Sequence, residues 1–166
     1  PILGFELLGN YSLAMQFLVI LLLFPTIVFK YLLPQVSSGK NTKNLKKISI
    51  FVSIGLTAFG MVILPMIIPV LFPKFIDTTI AIQILSLAII PATIGIFYET
   101  KFLALEKGKF PIISKSIGII TIVFGFLTLG PIYGIIGLAV TFVIAAFLET
   151  IFIIIASKTI KYEGNV

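Results

Sequence analysis

Cysteine, histidine, tryptophan and arginine are absent from this 166-residue chain, and aspartate occurs once, at Asp77. Each absence closes a branch of chemistry. Without cysteine there are no disulfides and no thiol nucleophiles. Without cysteine and histidine, zinc ligation and imidazole acid–base catalysis go as well. Charge of either sign is scarce, at 11% of residues, against about 25% in an ordinary soluble domain. All twelve basic residues are lysines.

What is present is apolar: 59% of the chain is hydrophobic, and the mean hydropathy is +1.23. A water-soluble globule of this size could not hide so much apolar surface. Composition therefore excludes a soluble enzyme or soluble binding domain and indicates an integral membrane protein. The net charge of +6 in such a protein reports lysines in cytoplasmic loops rather than nucleic-acid binding. No nucleic-acid partner, metal or cofactor is expected.

Five apolar segments are separated by short polar breaks, at 8–33, 48–71, 78–105, 111–129 and 132–157. A helix needs about 20 apolar residues to cross a bilayer core of about 30 Å. Runs of this length are too long for strands and lack period-2 alternation, so the expectation is an all-α, polytopic protein with five transmembrane helices in one membrane domain, 1–166. The stretch Pro34–Lys47 is the most polar of the chain, and the turn Gly130–Pro131 is expected to separate the last two helices. The chain opens on Pro1 with no charged region ahead of an apolar stretch, which suggests a piece of a longer protein rather than a signal peptide.

The lysines set an orientation. Lys30, Lys40, Lys43, Lys46 and Lys47 flank the first break, Lys101, Lys107, Lys109 and Lys115 the third, and Lys158 and Lys161 follow the last helix, while Lys74 alone falls on the opposite side. Eleven against one places the first end outside and the last in the cytoplasm.

Small residues recur at three- and four-residue spacing and mark packing faces. They are Ser49, Ser53, Thr57 and Gly60 in the second segment, and Ala81, Ala88, Ala92 and Gly95 in the third. The fourth carries Ser114, Gly118, Thr121, Gly125 and Thr128, and the fifth Gly137, Thr141 and Ala145. Two stripes end in a glutamate, Glu99 and Glu149. Glu149 lies about 2.5 turns inside the cytoplasmic end, where an ionised carboxylate is costly unless paired or wet. It either lines a substrate or ion path, pairs with a lysine of a neighbouring helix, or is neutral. Glu99 sits near Lys101 and the interface, where snorkelling is available. Gln16, whose face Ser12 shares, and Gln83 are the other intramembrane polar groups; each can bond across helices or meet a sugar hydroxyl. Pro25, Pro65, Pro69 and Pro91 remove backbone donors and favour kinks.

The order of several motifs resembles the C-terminal half of polysaccharide-biosynthesis flippases, prokaryotic exporters of lipid-linked oligosaccharides in the multidrug/oligosaccharidyl-lipid/polysaccharide exporter superfamily. Gly9-Asn10-Tyr11-Ser12-Leu13-Ala14 followed by Gln16 is similar to that family's G-x-Y-x-x-A-x-Q pattern. Leu33-Pro34 with the lysine-rich loop, Pro65 through Phe75, Ile84-Leu85-Ser86-Leu87-Ala88 and Phe102 through Lys109 resemble its successive landmarks, and Tyr133 through Ala139 its G-x-x-G-x-A helix start. The resemblance implies that the chain is one lobe of a flippase-type bundle in the cytoplasmic membrane. Its partners would be membrane lipids, a lipid-linked oligosaccharide and an N-terminal lobe, and it would act by alternating access, not as an enzyme. On this reading the first two helices carry much of the cavity wall. Lys47, Lys101 and Lys115 are phosphate contacts or simple topology lysines, and Gln16, Gln83, Glu99 and Glu149 line the path. One departure is the lack of the arginines that many members place in the cavity. The rivals are a drug or cation antiporter of the same superfamily, which would lean on Glu149, and a non-transporting membrane scaffold.

Overall fold

The computed structural model of the protein describes residues 4–163, with side-chain surroundings as far as Thr159; Lys161 of the orientation argument lies outside the described side chains. It is all-helical, and four helices are long and apolar enough to cross a membrane: α1 (Phe5–Ser37), α2 (Lys43–Leu71), α3 (Thr78–Ala104) and α4 (Lys109–Glu163). They fit a multi-pass membrane protein.

The helix ends follow local chemistry. α1 runs through Pro34 to Ser37, four residues past the expected end. A proline removes one donor, whereas the stop comes from Gly39 at φ 69°. There Gly39 N–H bonds to Val36 O at 3.0 Å and Lys40 N–H to Gln35 O at 3.1 Å, the paired bonds that close a helix on a left-handed residue. α3 ends the same way, with Glu106 N–H on Leu103 O at 3.0 Å and Lys107 N–H on Phe102 O at 2.8 Å. Here the left-handed residue is Glu106, at φ 58°.

Pro65 and Pro91 mark irregular backbone, as expected. In α2 a π-helical turn at Phe59–Ile63 precedes Pro65. The wider turn accommodates the proline, whose missing N–H would have served Met61 O. α3 is interrupted at Leu87 and Ala88, whose N–H groups reach back only three residues, to Ile84 O and Leu85 O. Pro91 lies four residues after Leu87 and cannot serve its carbonyl. The helix runs unbroken through Pro25 and Pro69.

α4 corrects one expectation. The backbone is helical across Gly130–Pro131 and departs from helix at Gly134 (φ 56°, ψ −133°), a conformation glycine alone adopts without strain. Residues 35 apart in a straight helix would be about 52 Å apart, yet Ser114 Oγ lies 2.9 Å from Glu149 O. α4 therefore folds back on itself as a first arm (109–133) and a second arm (135–163). Gly137 completes the reversal, because a Cβ there would strike the Leu129 carbonyl.

α3 is the hub and packs against α1, α2 and α4. The main core joins Ala14, Leu18 and Leu21 of α1 to Leu64 and Ile68 of α2, Ala81, Ile82, Leu85 and Ile89 of α3, and Ala139 of α4. Most of the expected small-residue positions are packed: Ser49, Ser53, Thr57 and Gly60 are all buried, whereas Thr128, expected on the fourth stripe, is exposed. At Gly60, Gly118 and Gly125 a Cβ would overlap Ser86, Glu149 and Thr141 respectively. Close backbone approach is the means of helix association where burial in lipid offers little hydrophobic gain.

Candidate functional site

Three charged side chains meet within the bundle. Lys115, on the first arm of α4, places Nζ 2.7 Å from Glu149 Oε2 on the second arm and 3.0 Å from Glu99 Oε1 on α3. The carboxylates are largely withdrawn, with side chains 16% (Glu99) and 20% (Glu149) exposed, while the Lys115 side chain is 56% exposed. One ammonium thus serves two carboxyl groups. Ionic groups withdrawn into an apolar bundle persist only when paired in this manner or wetted.

The neighbouring residues hold the cluster in place. Gly118 lies one turn after Lys115, and the Glu149 side chain occupies the space a Cβ would need there. Ser114 donates its hydroxyl to Glu149 O at 2.9 Å. Thr150, next to Glu149, donates to Pro91 O at 2.8 Å, and so ties the second arm to α3. Its Oγ1 faces Gly95.

A cavity of about 200 Å³ borders the three charges, its far wall formed by Leu22, Pro25 and Thr26 of α1. A second, of about 220 Å³, adjoins it toward Ala88 and Phe142 and shares Lys115 and Glu149. Both are walled by α1, α3 and α4, and no α2 residue lines either.

Of the residues expected in a site, the structure brings Glu99, Glu149 and Lys115 together. The others lie apart. Gln83 is on the surface of α3 and donates Nε2 to Met61 O at 3.1 Å, the carbonyl that Pro65 leaves without its helical donor. Gln16 is exposed on α1 and makes no side-chain hydrogen bond among the described residues. Lys47 and Lys101 are exposed and have no ion-pair partner among the described residues. Ser114, Gly118 and Thr150 were not singled out as site residues; Ser114 and Gly118 stood on the packing stripe beside Lys115, and that was the available signal. Among the described residues no three His, Cys, Asp or Glu side chains cluster as metal ligands. No family model, curated protein or solved structure matches the chain.

Proposed function

We propose that this chain is the C-terminal lobe of a prokaryotic flippase that moves lipid-linked oligosaccharide or polysaccharide precursors across the cytoplasmic membrane by alternating access. In this reading the two arms of α4 each cross the bilayer, which makes five crossings, with the first end outside and the last in the cytoplasm. The observation that carries it is the Glu99–Lys115–Glu149 cluster beside a partly open cavity. Charges at membrane depth mark substrate or ion paths, and proline-interrupted helices such as α2 and α3 suit a bundle that rocks between states. The motif order described above supplies the substrate class. Lys47 and Lys101 are the available phosphate contacts at the basic end. A phosphate at Lys115 would have to displace two carboxylates.

The second carboxyl group favours a second reading, a drug or cation antiporter of the same superfamily. One experiment addresses both. The protein from its complete reading frame is reconstituted in liposomes, and translocation of a fluorescent lipid-linked oligosaccharide is followed with and without proton and sodium gradients. The flippase reading expects translocation above the protein-free rate, slowed when Lys47, Lys101 and Lys115 are all neutralised. No translocation of the lipid-linked sugar, with gradient-driven uptake of an organic cation that Glu149→Gln abolishes, would replace it with the antiporter.

A further inference from the structure

The helices differ in what they show on their outer surfaces. At 3.6 residues per turn, Ser12, Gln16, Val19, Leu23, Thr26 and Lys30 of α1 fall within an arc of about 80°. All six are exposed, with Val19 at 55% and Leu23 at 53%, and Ile20, Ile27 and Tyr31 are exposed along one edge of the stripe. The stripe spans about 27 Å of helix, nearly the whole hydrocarbon thickness of about 30 Å. Four of its six members carry a hydroxyl, an amide or an ammonium. Thr26 also lines the cavity beside Glu99, Lys115 and Glu149, so the stripe and the charged cluster are continuous.

α2 is the contrast. Its exposed side chains between Ile48 and Leu71 are Ile48, Phe51, Ile54, Phe59, Met61, Val62, Ile63, Met66, Ile67, Val70 and Leu71, with Gly55 and Ala58. No polar side chain is exposed there. That face suits lipid. The α1 stripe does not, because an amide such as that of Gln16, left without a partner in hydrocarbon, loses its water hydrogen bonds with nothing to replace them.

We infer that the α1 stripe is the wall along which the saccharide headgroup crosses, and that this headgroup is uncharged. The inference rests on the flippase reading and deepens it. Hydroxyl and amide groups match sugar hydroxyls and acetamido groups. Between Ser12 and Lys30 the stripe carries no charge, and the cluster beside Thr26 sets two carboxyl groups against one ammonium, so an acidic sugar would meet no cation over most of the path. Lys30 stands at the basic end, where the diphosphate of such a lipid would remain until the headgroup moves.

The test uses the complete protein, with any cysteines outside these residues removed; this stretch contributes none. Single cysteines replace Ser12, Gln16, Val19, Leu23 and Thr26 on α1, and Phe51, Ile54, Val62 and Val70 on α2. A charged, membrane-impermeant methanethiosulfonate is applied from both sides of proteoliposomes. The α1 positions, the apolar Val19 and Leu23 included, should label at least ~10-fold faster than those on α2, because a charged reagent is excluded from hydrocarbon. Polyprenyl diphosphate bearing a neutral disaccharide should slow that labelling; the same lipid bearing a uronic acid, or bare polyprenyl diphosphate, should not. Labelling of α1 as slow as that of α2, or protection by bare polyprenyl diphosphate equal to that by the disaccharide lipid, would overturn the inference. Translocation by the otherwise unaltered protein is measured in the same vesicles. If it proceeds while the stripe stays unlabelled, only the path assignment fails. If it is absent, the flippase reading fails, whatever the labelling shows.

Discussion

α1 and α2 are alike in overall hydropathy and both contain proline, yet they present opposite outer faces. On α1 the polar residues Ser12, Gln16, Thr26 and Lys30 line up outward, although the Thr26 hydroxyl also donates to its own helix at Leu22 O. On α2 the polar residues Ser49, Ser53 and Thr57 all point inward, where Ser53 and Thr57 bond to their own helix at Ile50 O and Ser53 O. A hydropathy window cannot separate the two, because it averages over the circumference. The phase of the polar residues does separate them: inward polarity builds the bundle, and an outward group without an internal partner, such as Gln16, calls for something other than lipid to cover it.

The largest expected effect comes from placing one charge on each face. Val62→Lys puts an ammonium near the middle of the α2 outer face and should cost about 2.5–3.5 kcal/mol of membrane insertion, the usual penalty at a helix centre. Val19→Lys, on the α1 stripe, should cost less than half of that if the face is wet. Apparent insertion free energies of the two variants in the complete protein measure the difference, and equal penalties would erase the comparison.

Next is the cluster that continues the α1 stripe inward. Lys115→Met leaves Glu99 and Glu149 facing each other without a cation. Removing one partner of a buried pair costs about 3–5 kcal/mol, and the half-exposed Lys115 reduces this to about 2 kcal/mol. Thermal unfolding in detergent should show the loss, and adding Glu99→Gln and Glu149→Gln should recover most of it. If the triple variant is no more stable than Lys115→Met, the two carboxylates are not what Lys115 offsets.

Glycines provide a smaller paired test. Gly118→Ala drives a methyl into the space held by the Glu149 side chain and should lower stability by about 1–3 kcal/mol, as overpacking does. Gly55→Ala on the α2 outer face meets nothing within 4 Å and should raise stability by up to about 1 kcal/mol. Smallest is Gln83→Leu, which strips the donor from Met61 O. Interhelical bonds in membranes average about 0.6 kcal/mol, so the melting temperature should fall slightly, while the same change at Gln16 should leave it unaltered.

Much of this was legible in the sequence. Apolar runs located the first three helices to within about five residues, while the fourth and fifth runs share the single bent element α4, and the small-residue stripes named the packing faces that Gly60, Gly118 and Gly125 occupy. A lysine partner for Glu149 was among its possible readings. The identity of that partner was not legible, because it depends on where α4 reverses. A turn centred on Gly130–Pro131 would set Val143 opposite Gly118; reversal beside Gly134 sets Glu149 there, within reach of Lys115, and carries Thr150 onto Pro91. Proline chemistry pointed to Pro131, whereas the backbone reverses at the residue that tolerates φ 56°. The alignment of Gln16 with Ser12 was visible, but its extension to Thr26 and Lys30 gained meaning only once α3 and α4 were seen to cover the other side of α1.

The most direct test of the central claim is the initial rate at which the complete, reconstituted protein translocates a neutral lipid-linked oligosaccharide when the α1 stripe is made apolar by Ser12→Ala, Gln16→Leu and Thr26→Val together. The account expects a rate near the protein-free background, against an unimpaired rate for the control Phe51→Leu, Ile54→Val and Val62→Ile on α2. A stripe variant that folds and translocates as fast as that control would contradict it.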